Sequence, residues 1–371
     1  MKSRMHAVKV EASAPGRLCL FGEHQDYLGL PVIAMTIDLF MRVEAERIDG
    51  EENLILYFED LNKEERLELN NGRLPYRSGV DHVHSAINVL RDEGFPLFPA
   101  KLRFRSGIPV NSGSSSSTAT LLSMMSALAT MANVPHTPQK LAELAYRAEV
   151  VEFNAPGGMM DHLSIAFGGM RLIEFEPKVK SREFTVDPGT FILADSQQRK
   201  NTNEVLSRIR SPLERVRTEL DRSRKSLHDL TLEEAVDLAR GDETTQQYLL
   251  GAVENRNLTR EAVKVLQAKS FQPEEFGRLL NEHQSVLRER LEVSTEKLDT
   301  MIDAALQAGA LGGKINGSGG GGAMFVYAPE NPEKVSRAIE KAGGIPFIVR
   351  KASGVNVNRS GSVGLSEARN S

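Results

Sequence analysis

The amino-acid sequence predicts a two-domain chain that mixes strands with helices, and three observations carry that prediction. A length of 371 residues exceeds what one small core needs and suits two domains of ordinary size. From residue 8 to about residue 56, short apolar runs at 18–21, 32–37 and 39–43 are broken by glycine and proline, which is a strand pattern. From residue 203 to about residue 292 nearly every segment is helix-compatible and strongly charged. Residues 176–188 are polar and patternless, which sets the expected boundary: one domain over 1–185 and a second over 186–357. The stretch 358–371, rich in serine and glycine, is expected to be a disordered tail.

The elements between these landmarks follow from local pattern. Residues 53–70 alternate loosely and read as a hairpin, and 79–93 reads as a helix stopped by Gly94. A strand is expected at 100–105, a helix at 138–153 and a strand at 191–195. The charged runs ERVRTELDRSRK and RLLNEH are read as solvated helix faces rather than binding patches. Another amphipathic helix covers 297–309, and 323–327 is a short apolar strand.

Composition narrows the function. A formal net charge of −4 leaves no basic excess to attract a nucleic-acid backbone or an anionic membrane. Cys19 is the only cysteine, so neither a disulfide framework nor a cysteine metal cage is expected. The first residues, MKSRMHAVKVEASAPG, lack a continuous apolar stretch, and no run reaches the roughly 20 apolar residues that span a bilayer. These features lead to the expectation of a soluble, cytoplasmic protein with no nucleic-acid or membrane partner.

The most informative stretch is PVNSGSSSSTATLLSMMSALATMA at 109–132. Its second half is small or apolar on every side, so it is expected as a buried helix. The first half then lies at that helix's N-terminus, where N–H groups lack partners and the macrodipole is positive. Gly113 lets a bulky anion approach the backbone and the serines add hydroxyl donors, which suits a phosphate cradle without a Walker lysine. A serine-capped helix after a flexible loop would carry the same residues.

Other segments are ambiguous in the same way. GEHQDYLGLP groups Glu23, His24 and Asp26 near Arg17, beside apolar strands; it is either a surface loop or a functional cluster. Glu149 lies on a helix, where a glutamate can be merely solvated. Asp161 follows a glycine turn, where a carboxylate can simply favour the helix dipole. LGGKINGSGGGGAMFVYAP packs seven glycines into eleven residues between a helix and an apolar strand. Close approach of this backbone to a ligand or to another loop explains it better than a linker does.

Taken in order, APGRLCLFGEHQDYLGLPV, PVNSGSSSSTA and KINGSGGGGAM resemble the three motifs of the galactokinase/homoserine kinase/mevalonate kinase/phosphomevalonate kinase (GHMP) superfamily. The first is nearest to the galactokinase pattern A-P-G-R-x-x-L-x-G-E-H-x-D-Y; mevalonate kinases usually carry lysine where Arg17 stands and lack the D-Y pair. The stretch NEHQSVLRERLEVSTEKLD is also similar to galactokinases, and the resemblance extends from residue 8 to about residue 357.

That resemblance implies a two-domain α+β fold with the active site in the cleft between domains. It implies an ATP-dependent kinase acting on the C1 hydroxyl of a sugar, galactose first, with ATP and Mg²⁺. The partners are then a small sugar and ATP, in a monomer or homodimer. Asp161 matches the catalytic aspartate and Arg17 its partner, and a neighbouring arginine favours the ionised carboxylate. Ser117 and Glu149, the latter twelve residues before Asp161, match the Mg²⁺ ligands. Glu23, His24, Asp26, Tyr27 and Gly158 match the sugar site. Asn111, Gly113, Ser114, Ser115, Ser116, Ser117 and Thr118, with Gly319 and Gly320, match the nucleotide-phosphate site.

Several residues depart from the galactokinase pattern. Cys19 stands where asparagine is common and Gln25 where threonine is common, while Leu28-Gly29-Leu30 replaces an asparagine with glycines. Gly157-Gly158 replaces Cys-Gly, and Ser114 replaces a leucine. The changes around the sugar motif leave another hexose, an amino sugar, a uronic acid or mevalonate as alternative substrates. A catalytically inactive sugar-and-ATP sensor is the alternative from outside the enzymes, and it would not need to keep Arg17, Ser117, Glu149 and Asp161 together.

Overall fold

The computed structural model describes residues 9–48, 50–69, 72–77, 81–109 and 113–360. The first half comprises β1 (Lys9–Phe21), β2 (Val32–Arg47), β3 (Asn53–Phe58), β4 (Lys63–Glu68), α1 (His82–Asp92) and β5 (Ala100–Ser106). It continues with α2 (Ser116–Met131), α3 (Pro138–Glu149), α4 (Met160–Phe167), β6 (Met170–Glu174) and β7 (Lys180–Phe184). The second half runs through β8 (Phe191–Asp195), α5 (Thr202–Arg222), α6 (Leu232–Leu238), α7 (Glu243–Gln267), α8 (Pro273–Glu289) and α9 (Glu296–Gln307). Then come β9 (Gly312–Asn316), β10 (Ala323–Tyr327), α10 (Pro332–Lys341), β11 (Ile345–Val349) and β12 (Asn356–Ser360).

Among the described residues two sheets form, and the mixed α+β architecture is the expected one. The larger has the order β12-β1-β2-β5-β3-β4, with β6 paired to another part of β2 and β7 to β6. The smaller has the order β11-β8-β10-β9. Strand β2 serves two neighbours because it is long: Val32 to Met35 pair with β6, and Met41 to Arg47 pair with β5.

The pattern of β1 explains why the halves meet on it. Alternate strand residues face opposite sides. Ala14 and Cys19 join the core beneath α2, whereas Leu18 and Leu20 join a core shared with Phe191, Phe276, Phe325 and Tyr327. Fully burying each leucine is worth about 1.5–3 kcal/mol. Helix α2 is buried along most of its length, as its all-round apolar character requires. Helix α3 starts where Thr137 caps the Lys140 N–H and Pro138 occupies the first turn.

Three differences from the sequence reading have plain causes. The segment after Gly22 is no surface loop: Tyr27, Leu28 and Leu30 are buried in the core of the second half with Leu213, Val216 and Leu249. The expected boundary at 176–188 contains strand β7, which looked patternless because, among the described residues, it pairs with β6 alone and exposes most of its side chains. The expected tail begins too early. Asn356–Ser360 returns to the first sheet and pairs with β1 from Lys9 to Ser13, leaving 361–371 outside the described residues. No helix among the described residues is long and apolar enough to cross a membrane.

Candidate active site

Strand β1 delivers Arg17 into the interior, and the turn at Gly22 sends the chain past the N-termini of α2 and α4. A cavity of about 570 Å³ opens there. It is lined by Arg17, Glu23, His24, Asp26 and Tyr27, by residues 113–118, and by Glu149, Gly158 and Asp161. The second half contributes Lys200, Thr202, Asn203, Leu206, Gly317 and Ser318. The three motifs, separated in sequence, therefore line one space.

Asp161 lies in the first turn of α4 and is gripped by the guanidinium of Arg17. Arg17 Nε donates to Oδ1 at 2.6 Å and Nη2 donates to Oδ2 at 2.9 Å, a two-point pairing on a nearly buried arginine. Arg17 also holds the serine loop. Its backbone N–H donates to the Ser114 carbonyl at 3.2 Å and its Nη1 donates to the Gly113 carbonyl. Asn316, at the end of β9, donates to the same Gly113 carbonyl at 3.1 Å and accepts from the Cys19 N–H at 3.1 Å. Gly113 has φ +63°, and a Cβ there would strike the Asn316 carbonyl, so both conformation and space require glycine.

The hydroxyls of the serine loop face carboxylates. Ser117 Oγ and Thr118 Oγ1 donate to Glu149 at 2.5 and 2.6 Å, and His162 Nε2 donates at 2.9 Å. Burial would raise this carboxyl, but the His162 hydrogen bond and charge, with His82 and Ser117, outweigh it and bring the pKa to about 2. Among the described residues, no group of three or more His, Cys, Asp or Glu could hold a metal by itself. The nearby Ser117 hydroxyl and ionised Glu149 are hard oxygen donors, which fits Mg²⁺ completed by phosphate oxygens and water.

The first-motif polar groups are tightly engaged. Asp26 accepts from the Tyr27 N–H at 2.9 Å and from the Met160 N–H, the start of α4, at 3.2 Å. Burial and then the charge of Asp161 push its pKa up to about 6. A Cβ on Gly158 would collide with this carboxylate, so the glycine makes room for it. Burial brings His24 down to about 4, so the ring is neutral near pH 7. Its Nε2 donates to the Ser318 carbonyl and its Nδ1 accepts from Tyr27 Oη, both at 3.0 Å. Glu23 pairs with the fully buried Lys314 at 2.6 Å and accepts from the Gly317 N–H.

Most residues expected from the sequence meet here, with three exceptions. Gly319 and Gly320 lie behind the cavity wall: a Cβ on Gly319 would strike the Val293 carbonyl, and the Gly320 N–H donates to that carbonyl at 2.7 Å. The glycines that form this part of the site do so as packing for the loop, while Gly317 and Ser318 face the space. Asn111 lies outside the described residues.

Sequence reasoning missed Lys200, His82, His162, Lys314 and Asn316. Lys314 gave no signal, because β9 reads GGKIN and offers no apolar pattern against which a buried charge would stand out. Lys200 gave none either, because it sits in an aperiodic stretch after β8. Its pKa is lowered to about 8 by burial first and by Arg17 second, and its amine lies against Gly113 and Gly317.

An arginine-held carboxylate facing a helix N-terminus across one cavity suits a phosphotransferase with an alcohol acceptor. Family models agree. "GHMP kinases N terminal domain" matches residues 81–169 and "GHMP kinases C terminal" matches 262–345. The chain belongs to the GHMP kinase family, ATP-dependent phosphotransferases with an alcohol acceptor. Within it, the "Galactokinase galactose-binding signature" matches residues 3–47.

Full-length relatives include both mevalonate kinases and galactokinases. The chain is 27% identical over 354 residues to a mevalonate kinase of Thermococcus sibiricus, covering 92% of this chain and 96% of that one. It is 28% identical over 361 residues to a galactokinase of Thermococcus kodakarensis, covering 93% and 99%. The crystal structure of Lactococcus lactis galactokinase complexed with galactose superposes with a TM-score of 0.80 at 26% identity, covering 94% and 95%.

Proposed function

We propose that this protein phosphorylates the anomeric hydroxyl of a neutral sugar, galactose first, with ATP as donor. One observation carries the reading: the Arg17–Asp161 pair and the N-terminus of α2 face the same cavity. The sugar C1 oxygen attacks the γ-phosphorus, the bond from that phosphorus to ADP breaks, and Asp161 takes the hydroxyl proton or orients it. The N–H groups at the start of α2 receive the phosphates. Ser117 and Glu149 would hold Mg²⁺, which when bound neutralises phosphate charge. Such a reaction belongs in the cytoplasm, where ATP is available.

The choice of a neutral sugar over mevalonate or a uronic acid rests on charge. A carboxylate substrate needs a cation of its own in the site. Of the cationic residues lining the cavity, Arg17 is committed to Asp161 and Gly113, and Lys200 stands beside the serine loop. His24 is neutral near pH 7, burial lowers His82, and His162 is engaged by Glu149. Asp26 supplies the acceptor that hydroxyl groups need, and the galactokinase signature supports the same choice. Mevalonate remains the second reading because a mevalonate kinase is equally similar over the full chain. Turnover of galactose, an amino sugar, a uronic acid and mevalonate, each at matched concentration, tests the choice. Faster turnover of mevalonate than of any sugar would reverse it.

A further inference from the structure

Ser115 stands out in the serine loop for its backbone and for where its hydroxyl goes. Its φ of 60° and ψ of 44° place it in the left-handed region, which a non-glycine residue occupies at a steric cost. It is the N-cap residue of α2, a position where serine ordinarily accepts from its own helix's N–H groups. No such bond forms. The hydroxyl instead crosses to α4 and donates to Asp161 Oδ2 at 2.5 Å, on the oxygen that also receives Arg17 Nη2. The neighbouring carbonyls of Gly113 and Ser114 are fixed by Arg17, so the loop cannot relax without disturbing the same arginine.

The geometry points to Ser115 as a positioning residue for Asp161: the left-handed turn aims its hydroxyl at the base instead of at the helix end. This rests on the phosphoryl-transfer reading and extends it. Arg17 holds the carboxylate from the β1 side and Ser115 from the α2 side. The carboxylate is thereby oriented by the same loop that receives the phosphates, and arrival of the nucleotide and alignment of the base become coupled.

Two substitutions separate hydroxyl from backbone. Ser115→Ala removes the hydroxyl and keeps a residue that resists φ near 60°. Ser115→Gly removes the hydroxyl and accepts the turn freely. Both are expected to lower kcat roughly ten- to a hundredfold, with KM for sugar and ATP within about twofold of the parent. The glycine variant is expected to melt higher than the alanine variant. On an Asp161→Asn background, Ser115→Gly is expected to lower kcat no further, because the group it aims is gone. Ser115→Gly at the parent rate with Ser115→Ala slow would make Ser115 only a turn former and overturn this role, leaving the kinase reading intact. Additive losses on the Asp161→Asn background would overturn it too. A parent protein inactive on every acceptor would remove the kinase reading, and the role with it.

Discussion

Replacing Asp26 by asparagine tests whether a half-buried carboxylate is retained for substrate at a cost to stability. Asp26 is raised from 3.8 to about 6, by burial first and by the charge of Asp161 second, against the stabilising N–H groups of Met160 and Tyr27. The sign follows from proton counts. Between pH 4 and 6 the folded state binds more protons at this site than the unfolded state, so this group lowers stability as pH rises. Below the unfolded pKa the cost is absent, and above about pH 6 it is fully present. A shift of about 2 units corresponds to about 3 kcal/mol as an upper bound. At about 2.1 cal/mol/K per residue, that is roughly 4 °C in Tm for a chain of this size.

Asparagine has no such titration and leaves one backbone N–H less well satisfied, which lowers its stability by a pH-independent amount. The Tm of Asp26→Asn minus that of the parent is therefore expected to rise by roughly 2–3 °C between pH 4.5 and 7.5, about a third of the cost being already present at pH 4.5. Sugar KM is expected to increase about ten- to a hundredfold, the loss of a charge-assisted hydrogen bond, while ATP KM moves little. Scanning calorimetry across pH and steady-state kinetics at pH 7.5 read both. Parallel Tm–pH curves would refute the electrostatic part, and an unchanged sugar KM would reduce Asp26 to a cap on α4.

The other predictions address the metal, the transition-state charge and the interdomain pair. Ser117→Ala and Glu149→Gln are each expected to cut kcat strongly while sugar binding without nucleotide, followed by calorimetry, stays near normal; loss of sugar binding in both would misplace the metal site. Lys200→Met is expected to lower kcat more than it raises either KM. With Lys200 losing its charge above about pH 8, the parent rate is expected to fall there while Lys200→Arg keeps its rate to higher pH; identical alkaline limbs would clear Lys200 of any part in the rate. Lys314→Met leaves Glu23 buried without its partner and is expected to destabilise by about 3–5 kcal/mol in urea unfolding. Stability within 1 kcal/mol of the parent, about the worth of a surface pair, would mean the pair is solvated.

Much of the fold was legible where one period dominated. The all-round apolar run after the serines reads as a buried helix, and the short apolar runs broken by glycine and proline read as the strands β1 and β2. What stayed hidden depended on partners remote in sequence. Strand β7 reads as loop because an edge strand with solvent on most of its side chains needs no apolar pattern. Strand β12 reads as tail because its place is set by pairing with β1, more than 300 residues away. In the site, motif resemblance and spacing pointed to Arg17, Glu149 and Asp161, which line one cavity, yet the sequence could not tell a group that faces substrate from one already bonded within the protein. His24 has both ring nitrogens occupied and Glu23 has both oxygens engaged, facts that require Ser318, Lys314 and Gly317 to be brought to them. Ser115 illustrates the same limit, since nothing in four consecutive serines says which one turns left-handed.

The central claim is that Asp161, held by Arg17, serves phosphoryl transfer to a neutral sugar. ADP release measured with Mg²⁺, ATP and a panel of acceptors, for the parent and for Asp161→Asn, tests it most directly. The parent is expected to release ADP only when a sugar is present, galactose foremost. Asp161→Asn is expected to lower that rate by about 10²–10⁴-fold, the usual contribution of a general base, with both substrates still bound. No sugar-dependent release by a folded parent, or an Asp161→Asn variant that turns over sugar near the parent rate, would contradict the account.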